Sequence, residues 1–325
     1  MPVDKHILEL FPEVQRWRKE IHAHPELAFE ERRTSLFVAD RLKEAGLEVT
    51  QGIAETGVVA TLRCGSGTGA IALRADIDAL PLQEKNEFAH RSQHDGKMHA
   101  CGHDGHTAML LGAAHHLART RDFSGTVHFV FQPAEEGGGG ARRMIEEGLF
   151  ERFPADAVFA IHNWPGLATG TIATRPGPIM AAYEAFEFII DGHGCHAAMP
   201  HLGIDPILVG AQLVGAIQSI VSRKLDPLDH AVVSVTEFSA GDANSIIPER
   251  ATLRGTSRSF KPTVSAQIEA ELRRLGEKIC EAHGAQLSFG YERHYPPTIN
   301  DPAQAAFAAQ VATELLGAEH VDAAP

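Results

Sequence analysis

The stretch GTVHFVFQPAEEGGGGARRMIEEG (Gly125–Gly148) changes texture twice. GTVHFVFQ is an apolar, β-branched and aromatic run of strand length. PAEEGGGG is a turn of carboxylates and glycines, and ARRMIEEG resumes with helix formers. A strand that passes through a polar turn into a helix is the building unit of α/β sheets. Such sheets hold their ligands beyond the carboxyl ends of the strands.

Working outward, the same alternation recurs. Residues 4–24 and 29–45 read as amphipathic helices, the second capped by Gly46. GVVATLRC (Gly57–Cys64) and AIALRAD (Ala70–Asp76) read as strands, HTAMLLGAAHHLART (His106–Thr120) as a helix, and DAVFAIHNW (Asp156–Trp164) as a further strand. These alternations predict an α/β domain over residues 1–181, with helices on the faces of its sheet. From residue 182 to 292 the order becomes strand, helix, strand, strand, helix, strand, running from YEAFEFIIDG (Tyr183–Gly192) to AQLSFGYER (Ala285–Arg293). That β-α-β-β-α-β series predicts a smaller α+β domain. DPAQAAFAAQVATELLG (Asp301–Gly317) reads as one more helix.

A length of 325 residues fits two domains better than one core. Apolar residues make up 44% and charged residues 22%, the balance of a soluble globular protein. A net charge of −13 argues against a nucleic-acid partner and against an anionic membrane surface. The first twenty residues carry charges throughout and do not resemble a signal peptide, and no apolar run reaches the roughly 20 residues needed to span a bilayer. The expectation is a cytoplasmic enzyme. The four cysteines form no CxxC pair, which fits reduced thiols. Nineteen histidines make any single cluster easier to obtain by chance, so position must carry the argument.

Coordinating groups collect at the ends of the predicted strands. Asp76 and Asp78 follow one strand, Glu135 and Glu136 the next, and His162 a third, while HACGHDGH (His99–His106) precedes a helix. Cys101 and His103, two apart in a loop, can turn towards one ion, and thiolate with imidazole suits Zn²⁺, Mn²⁺ or Co²⁺ better than Mg²⁺ or Ca²⁺. The same octapeptide also fits a buried small thiol among loop histidines, or a thiol nucleophile at Cys101 with His103 as its base. Two adjacent carboxylates in a turn allow one to bind metal while its neighbour takes a proton from water; a solvated acidic turn is the plainer account. A phosphate-cradling loop is weak, because no GKS or GKT follows the glycines. In the second domain GHGCHAAMPHLGIDP (Gly192–Pro206) carries His193, His196 and His201, with Cys195 read as packing.

RADIDALP, HACGHDGHTAMLLGAA, FQPAEEGGGGARRMIEEG, FAIHNWPG, GHGCHAAMPHLGIDP and NSIIPERATLRGTSRSF occur here in one order, with HAHPELAFEE (His22–Glu31) ahead of them. Together they resemble the amidohydrolase branch of the aminoacylase/carboxypeptidase dinuclear metallopeptidases, which includes hippurate hydrolases, N-acyl-amino-acid amidohydrolases and indole-acetyl-amino-acid hydrolases. The resemblance runs from about residue 13 to the end of the chain.

It implies a catalytic α/β domain interrupted by a lid or dimerisation domain (182–292), with 293–325 returning to the first domain, and a homodimer formed through the lid. It implies two divalent metal ions, Mn or Zn before Co or Ni, held by Cys101, His103, Glu136 and His162. Glu135 falls at the general base, and Asp76, Asp104 and His106 fall behind the ligands, where such groups orient them. His196 falls at a donor to the developing oxyanion, in relatives often across a dimer interface. Asn244 and Arg258 fall at positions that bind the substrate's carbonyl and carboxylate, the latter suited to a planar guanidinium fork. The implied reaction is hydrolysis of an N-acyl amino acid by metal-bound hydroxide, giving a carboxylic acid and a free amino acid.

One departure stands out. Relatives supply a further histidine ligand from a C-terminal segment, and His320 lies too early and in the wrong context to be it. The expectation is therefore either a piece of a longer protein or a relative that binds metal or ligand with impaired turnover. Glu135 favours the enzyme, since a protein that only binds has little use for a base beside Glu136.

Overall fold

The computed structural model describes residues 4–323, and the chain divides after Gly170 into two compact units. In the first, helices α1 (Lys5–Ala23) and α2 (Arg32–Glu44) precede strands β1 (Glu48–Ile53), β2 (Gly57–Cys64) and β3 (Ala70–Asp76). Helix α3 (His103–Thr120), strand β4 (Gly125–Gln132), helices α4 (Gly140–Glu146) and α5 (Leu149–Arg152), and strand β5 (Ala157–Ala160) follow. The bounds of β2, β3 and β4 are those the sequence predicts.

The five strands form one sheet in the order β1-β2-β4-β3-β5. β1 and β2 run antiparallel to their neighbours, whereas β3 is parallel to both β4 and β5. Along β2 and β4 successive side chains point to opposite faces. Val58, Ala60, Phe129 and Phe131 therefore enter one core with Trp17, Leu42 and Leu111, while Val59 and Val130 enter a second with Met144 and Leu149. Burial on both faces is why these strands read as continuous apolar runs.

The parallel register places Asp76 beside Gln132 and Arg74 beside Ala160, so β3, β4 and β5 end along one edge. Two strands depart from expectation. EVTQGI lacks a sustained alternation, so local pattern does not mark β1. β5 stops at Ala160, four residues before the predicted end at Trp164. Beyond it the backbone turns so that the carbonyl of Asn163 accepts from His162 Nδ1 at 2.6 Å.

The second unit opens with short strands β6 (Ile172–Ala173) and β7 (Gly177–Met180). Then come β8 (Tyr183–Asp191), β9 (Cys195–His196), α6 (Pro206–Arg223), β10 (Ala231–Ala240), β11 (Ile246–Ile247), β12 (Arg250–Ser259), α7 (Pro262–His283) and β13 (Gln286–Tyr295). β14 (Thr298–Asn300), α8 (Pro302–Leu316) and β15 (Val321–Asp322) complete it. The predicted β-α-β-β-α-β order holds for β8, α6, β10, β12, α7 and β13, whose strands make an antiparallel sheet ordered β10-β12-β8-β13. Helix starts follow local chemistry: Asp205 and Asp301 accept from N–H groups of the first turns of α6 and α8, each with proline at the first helical position. α6 is long and apolar enough to cross a bilayer by length and composition, yet its Val209, Leu213, Ile217 and Ile220 pack against Phe186, Phe188, Leu253 and Ile268.

Candidate metal centre

The parallel strand ends of the first unit assemble the site. Gly102 takes φ 88°, a conformation open to glycine, and turns the chain so that His103 is the first residue of α3. His103 Nδ1 faces two oxygens of Asp78, the carbonyl at 2.9 Å and Oδ1 at 3.2 Å. Asp78 Oδ2 accepts the backbone N–H of Glu136 at 2.8 Å, so one carboxylate fixes both the imidazole and the acidic turn.

With Nδ1 turned to Asp78, Nε2 is the nitrogen of His103 that points into a ring of candidate ligating groups. Nε2 lies 3.9 Å from Glu136 Oε1, 3.9 Å from Glu135 Oε2 and 3.6 Å from Asp76 Oδ2. His162 Nδ1 donates to the Asn163 carbonyl, which leaves its Nε2 lone pair 3.4 Å from Cys101 Sγ. Two triads, Cys101–His103–His162 and His103–Glu135–Glu136, each bring ligand atoms within 4.8 Å of one another and share His103.

The donor set fits divalent metal. His103 Nε2 and Glu136 Oε1 are both buried and have no hydrogen-bond partner among the described residues. Buried polar atoms are ordinarily satisfied, and two of them 3.9 Å apart ask for a cation between them. Thiolate, imidazole and carboxylate donors together suit a borderline transition ion.

Burial works against a charge on His103, but the bonds to Asp78 and Cys101 and the charges of Asp76 and Asp78 outweigh it and push its pKa up to about 11, so that a metal bound at Nε2 would have to displace a proton there. Burial lowers that of His162 and keeps it neutral, as a ligand must be. Burial, then the charge of Glu136, raises Glu135; burial also raises Glu136.

Around the candidate ligands, each predicted supporting residue has a definite place. The backbone N–H of Asn163 donates to His106 Nε2 at 3.0 Å, so the His106 proton sits on Nδ1 and is given to Asp76 Oδ1 at 2.6 Å. Asp76, His103 and His106 also lie close enough to share an ion, but His106 has no nitrogen left for one and holds Asp76 instead. Burial opposes charge on Asp76, but the His106 bond and the Arg74 guanidinium, 2.8 Å from Oδ2, hold its carboxyl well below the usual range.

Asp104 turns elsewhere: its Oδ2 meets His22 Nδ1 at 2.8 Å and Arg18 Nε at 3.1 Å. His22 in turn reaches Glu84 Oε1 at 3.1 Å, an inward polar network that sequence reasoning missed. It also passed over Asp78 as a site residue, although the alternation Asp76-Ile77-Asp78 at a strand end was the signal for a second inward carboxylate.

In the second unit, His196 sits on β9, which pairs with β11, and faces Ile246 in register. The backbone N–H of Ala198 donates to His196 Nδ1 at 3.0 Å, so a neutral His196 carries its proton on Nε2 and is a donor there. Asn244 is exposed in the turn that enters β11. Arg258 on β12 lies 4.2 Å over the Tyr183 ring and donates to the Ser257 carbonyl at 2.9 Å.

Comparison with known proteins gives this arrangement relatives. Residues 72–325 match peptidase family M20/M25/M40. The chain is 41% identical to hippurate hydrolase of Campylobacter jejuni over 316 residues, which is 97% of this chain and 82% of that protein. It is 44% identical to an N-acyl-L-amino acid amidohydrolase of Geobacillus stearothermophilus over 295 residues, 90% of this chain and 79% of that one. The solved structure of the Bacillus subtilis YXEP protein, described as a dinuclear metal-binding peptidase of the M20 family, superposes with a TM-score of 0.81 at 35% identity. That match covers 98% of this chain and 84% of the YXEP chain. A ligand ring of Cys, His and Glu at parallel strand ends, a family match over most of the chain and hydrolase relatives of this similarity place it: the chain belongs to peptidase family M20/M25/M40 and is an amidohydrolase of the metallopeptidase kind.

Proposed function

We propose that this protein hydrolyses the amide bond of N-acyl amino acids, of the hippurate or N-acetyl kind, to a carboxylic acid and a free amino acid. The observation that carries this reading is the pair of unsatisfied buried atoms, His103 Nε2 and Glu136 Oε1, set beside the second carboxylate of Glu135. Cys101, His103, Glu136 and His162 would hold two divalent ions, Mn or Zn before Co or Ni. Bound ions of this kind supply Lewis acidity to the scissile carbonyl and to the attacking water.

The remaining chemistry belongs to the chain's own side chains. Glu135 takes a proton from water as the new carbon–oxygen bond forms, and returns it to the nitrogen as the carbon–nitrogen bond breaks. Burial raises its proton affinity, which suits a group that must accept and then release. The Nε2–H of His196 is the donor to the carbonyl oxygen as negative charge develops there. Asn244 takes the substrate carbonyl. Arg258, steadied over Tyr183, takes the amino acid's carboxylate bidentately. Asp76, Asp78 and His106 orient the ligands; the proposal leaves Asp104 with the His22 network. A cytoplasmic homodimer joined through the second unit completes the proposal.

The test is metal analysis combined with hydrolysis assays on N-acetyl and N-benzoyl amino acids. Turnover that is lost on chelation and restored by Mn²⁺ or Zn²⁺ is the expected result. Stoichiometric metal with no turnover on any acyl amino acid would make the chain a metal-binding relative. Inactivation by thiol alkylation but not by chelators would assign the chemistry to Cys101, 3.4 Å from the His162 imidazole.

A further inference from the structure

The turn that carries Glu135 and Glu136 contains a backbone conformation that its own sequence disfavours. Ala134, immediately before Glu135, is fully buried and has φ 52°. That is the left-handed region, where an L-residue with a Cβ rarely rests and glycine is the usual occupant. Four glycines follow at 137–140, yet the left-handed position that leads into the two acids is an alanine. Something outside the turn has to hold it.

The holder stands at the start of the second helix. Glu31, the residue that caps α2, is completely buried. Its Oε1 accepts the backbone N–H of Ala134 at 2.8 Å, and its Oε2 accepts the hydroxyl of Thr56 at 2.6 Å. Both carboxylate oxygens are engaged, one by the turn and one by a buried threonine. The backbone of Glu31 is itself anchored, because its carbonyl accepts the N–H of Ser35 at 2.8 Å in the first turn of α2. The turn is closed from the other side by the N–H of Gly140 on the Ala134 carbonyl at 3.1 Å. A Cβ at Gly140 would lie 1.8 Å from the Pro133 carbonyl, so the two ends of the turn pack backbone against backbone.

We infer that Glu31 is a positioning residue whose buried carboxylate pins Ala134 in the left-handed conformation and thereby sets the directions of Glu135 and Glu136. The inference rests on the roles proposed above for those two acids. It concerns geometry rather than contact with substrate, since both carboxylate oxygens of Glu31 are already taken by Ala134 and Thr56. A misplacement of about 1 Å at such a group costs on the order of a hundredfold in rate.

The experiment compares Glu31→Ala, Glu31→Gln and Ala134→Gly, singly and combined, in the metal-loaded enzyme. It reads kcat and KM on N-acetyl and N-benzoyl amino acids, metal per chain, and the thermal midpoint. Glu31→Ala is expected to lower kcat by at least about tenfold, in the range for groups that orient metal ligands, with a smaller change in KM. Glu31→Gln keeps an oxygen for the Ala134 N–H and is expected to retain most of kcat. Ala134→Gly removes the Cβ that disfavours φ 52°, so in the Glu31→Ala background it is expected to restore kcat severalfold while the thermal midpoint stays low. That separation of rate from stability is what a merely structural carboxylate would not produce.

A folded Glu31→Ala enzyme with wild-type kcat overturns the inference. So does a slow one that neither Gln at position 31 nor Gly at 134 improves. If Glu31→Ala does not fold, Thr56→Ala carries the same comparison: lowered kcat restored by Ala134→Gly supports the inference, and unchanged kcat overturns it. Glu135→Gln, run alongside, separates the two readings, because full activity in that variant removes Glu135 as the base whatever the Glu31 variants do.

Discussion

Asp78 grips His103 and the turn of Glu136 at once: its Oδ1 is 3.2 Å from His103 Nδ1 and its Oδ2 accepts the Glu136 N–H at 2.8 Å. A carboxylate behind a ligating imidazole fixes the tautomer and raises the ligand's basicity. Asp78→Ala is therefore expected to weaken metal binding by about 10- to 100-fold, with activity recovering at high metal concentration. Metal titration by calorimetry, together with activity against added metal, checks this.

Glu135→Gln should separate chemistry from binding. The amide keeps the shape of the side chain but cannot take a proton from water, so kcat should fall by about 10²- to 10⁴-fold. Metal content should hold near wild type, because the proposal gives the neighbouring ligand to Glu136 rather than Glu135. Steady-state kinetics with elemental analysis of the same preparation reads both quantities.

The second unit makes two distinguishable predictions. If His196 is the donor proposed above, His196→Ala should lower kcat by about 10²-fold with little change in KM. Arg258→Lys removes the planar fork and its seat over Tyr183, so KM should rise for substrates with a free carboxylate. The Arg258 defect should vanish when wild type and variant are compared on the corresponding amino-acid amide.

Chelation should act on one unit. Cys101, His103, Glu136 and His162 all lie before Thr171, the first residue of the second unit, and each unit has its own hydrophobic core. A metal held at 100 times its Kd stabilises the native state by about 3 kcal/mol. Scanning calorimetry should therefore resolve a first-unit transition that falls on chelation and a second-unit transition that does not move.

Alkaline pH should act on the other unit. Burial, then the bond to the Glu184 carboxylate, raises the Tyr291 pKa well above the ordinary tyrosine value of about 10. A raised pKa in the folded state means that the native protein favours the protonated phenol. Its contribution is fully present below about pH 10 and is lost as pH climbs towards the folded value. The second unit's thermal midpoint should fall above about pH 10, and Tyr291→Phe should flatten that slope while lowering the midpoint at neutral pH.

Much of this protein is fixed by local pattern. Strands β2, β3 and β4 carry the bounds the sequence predicts, because buried strands are written as short apolar runs closed by polar turns. The β-α-β-β-α-β order of the second unit is equally local, with Asp-Pro starts marking α6 and α8. Cys101, His103, Glu135, Glu136 and His162 could be singled out because each sits at or beside a predicted strand end or helix start.

What only the tertiary structure decided is where neighbouring side chains go. His103 and Asp104 are adjacent in sequence, but successive residues on a helix point about 100° apart. His103 enters the ligand ring, whereas Asp104 turns to His22 and Arg18 on α1. His106, three residues on from His103, shares its face and meets Asp76. Asp78 behind His103, and Glu31 behind Ala134, act across 25 and 103 positions of chain. No local pattern encodes such pairs, because they exist only once the sheet has brought its strand ends together.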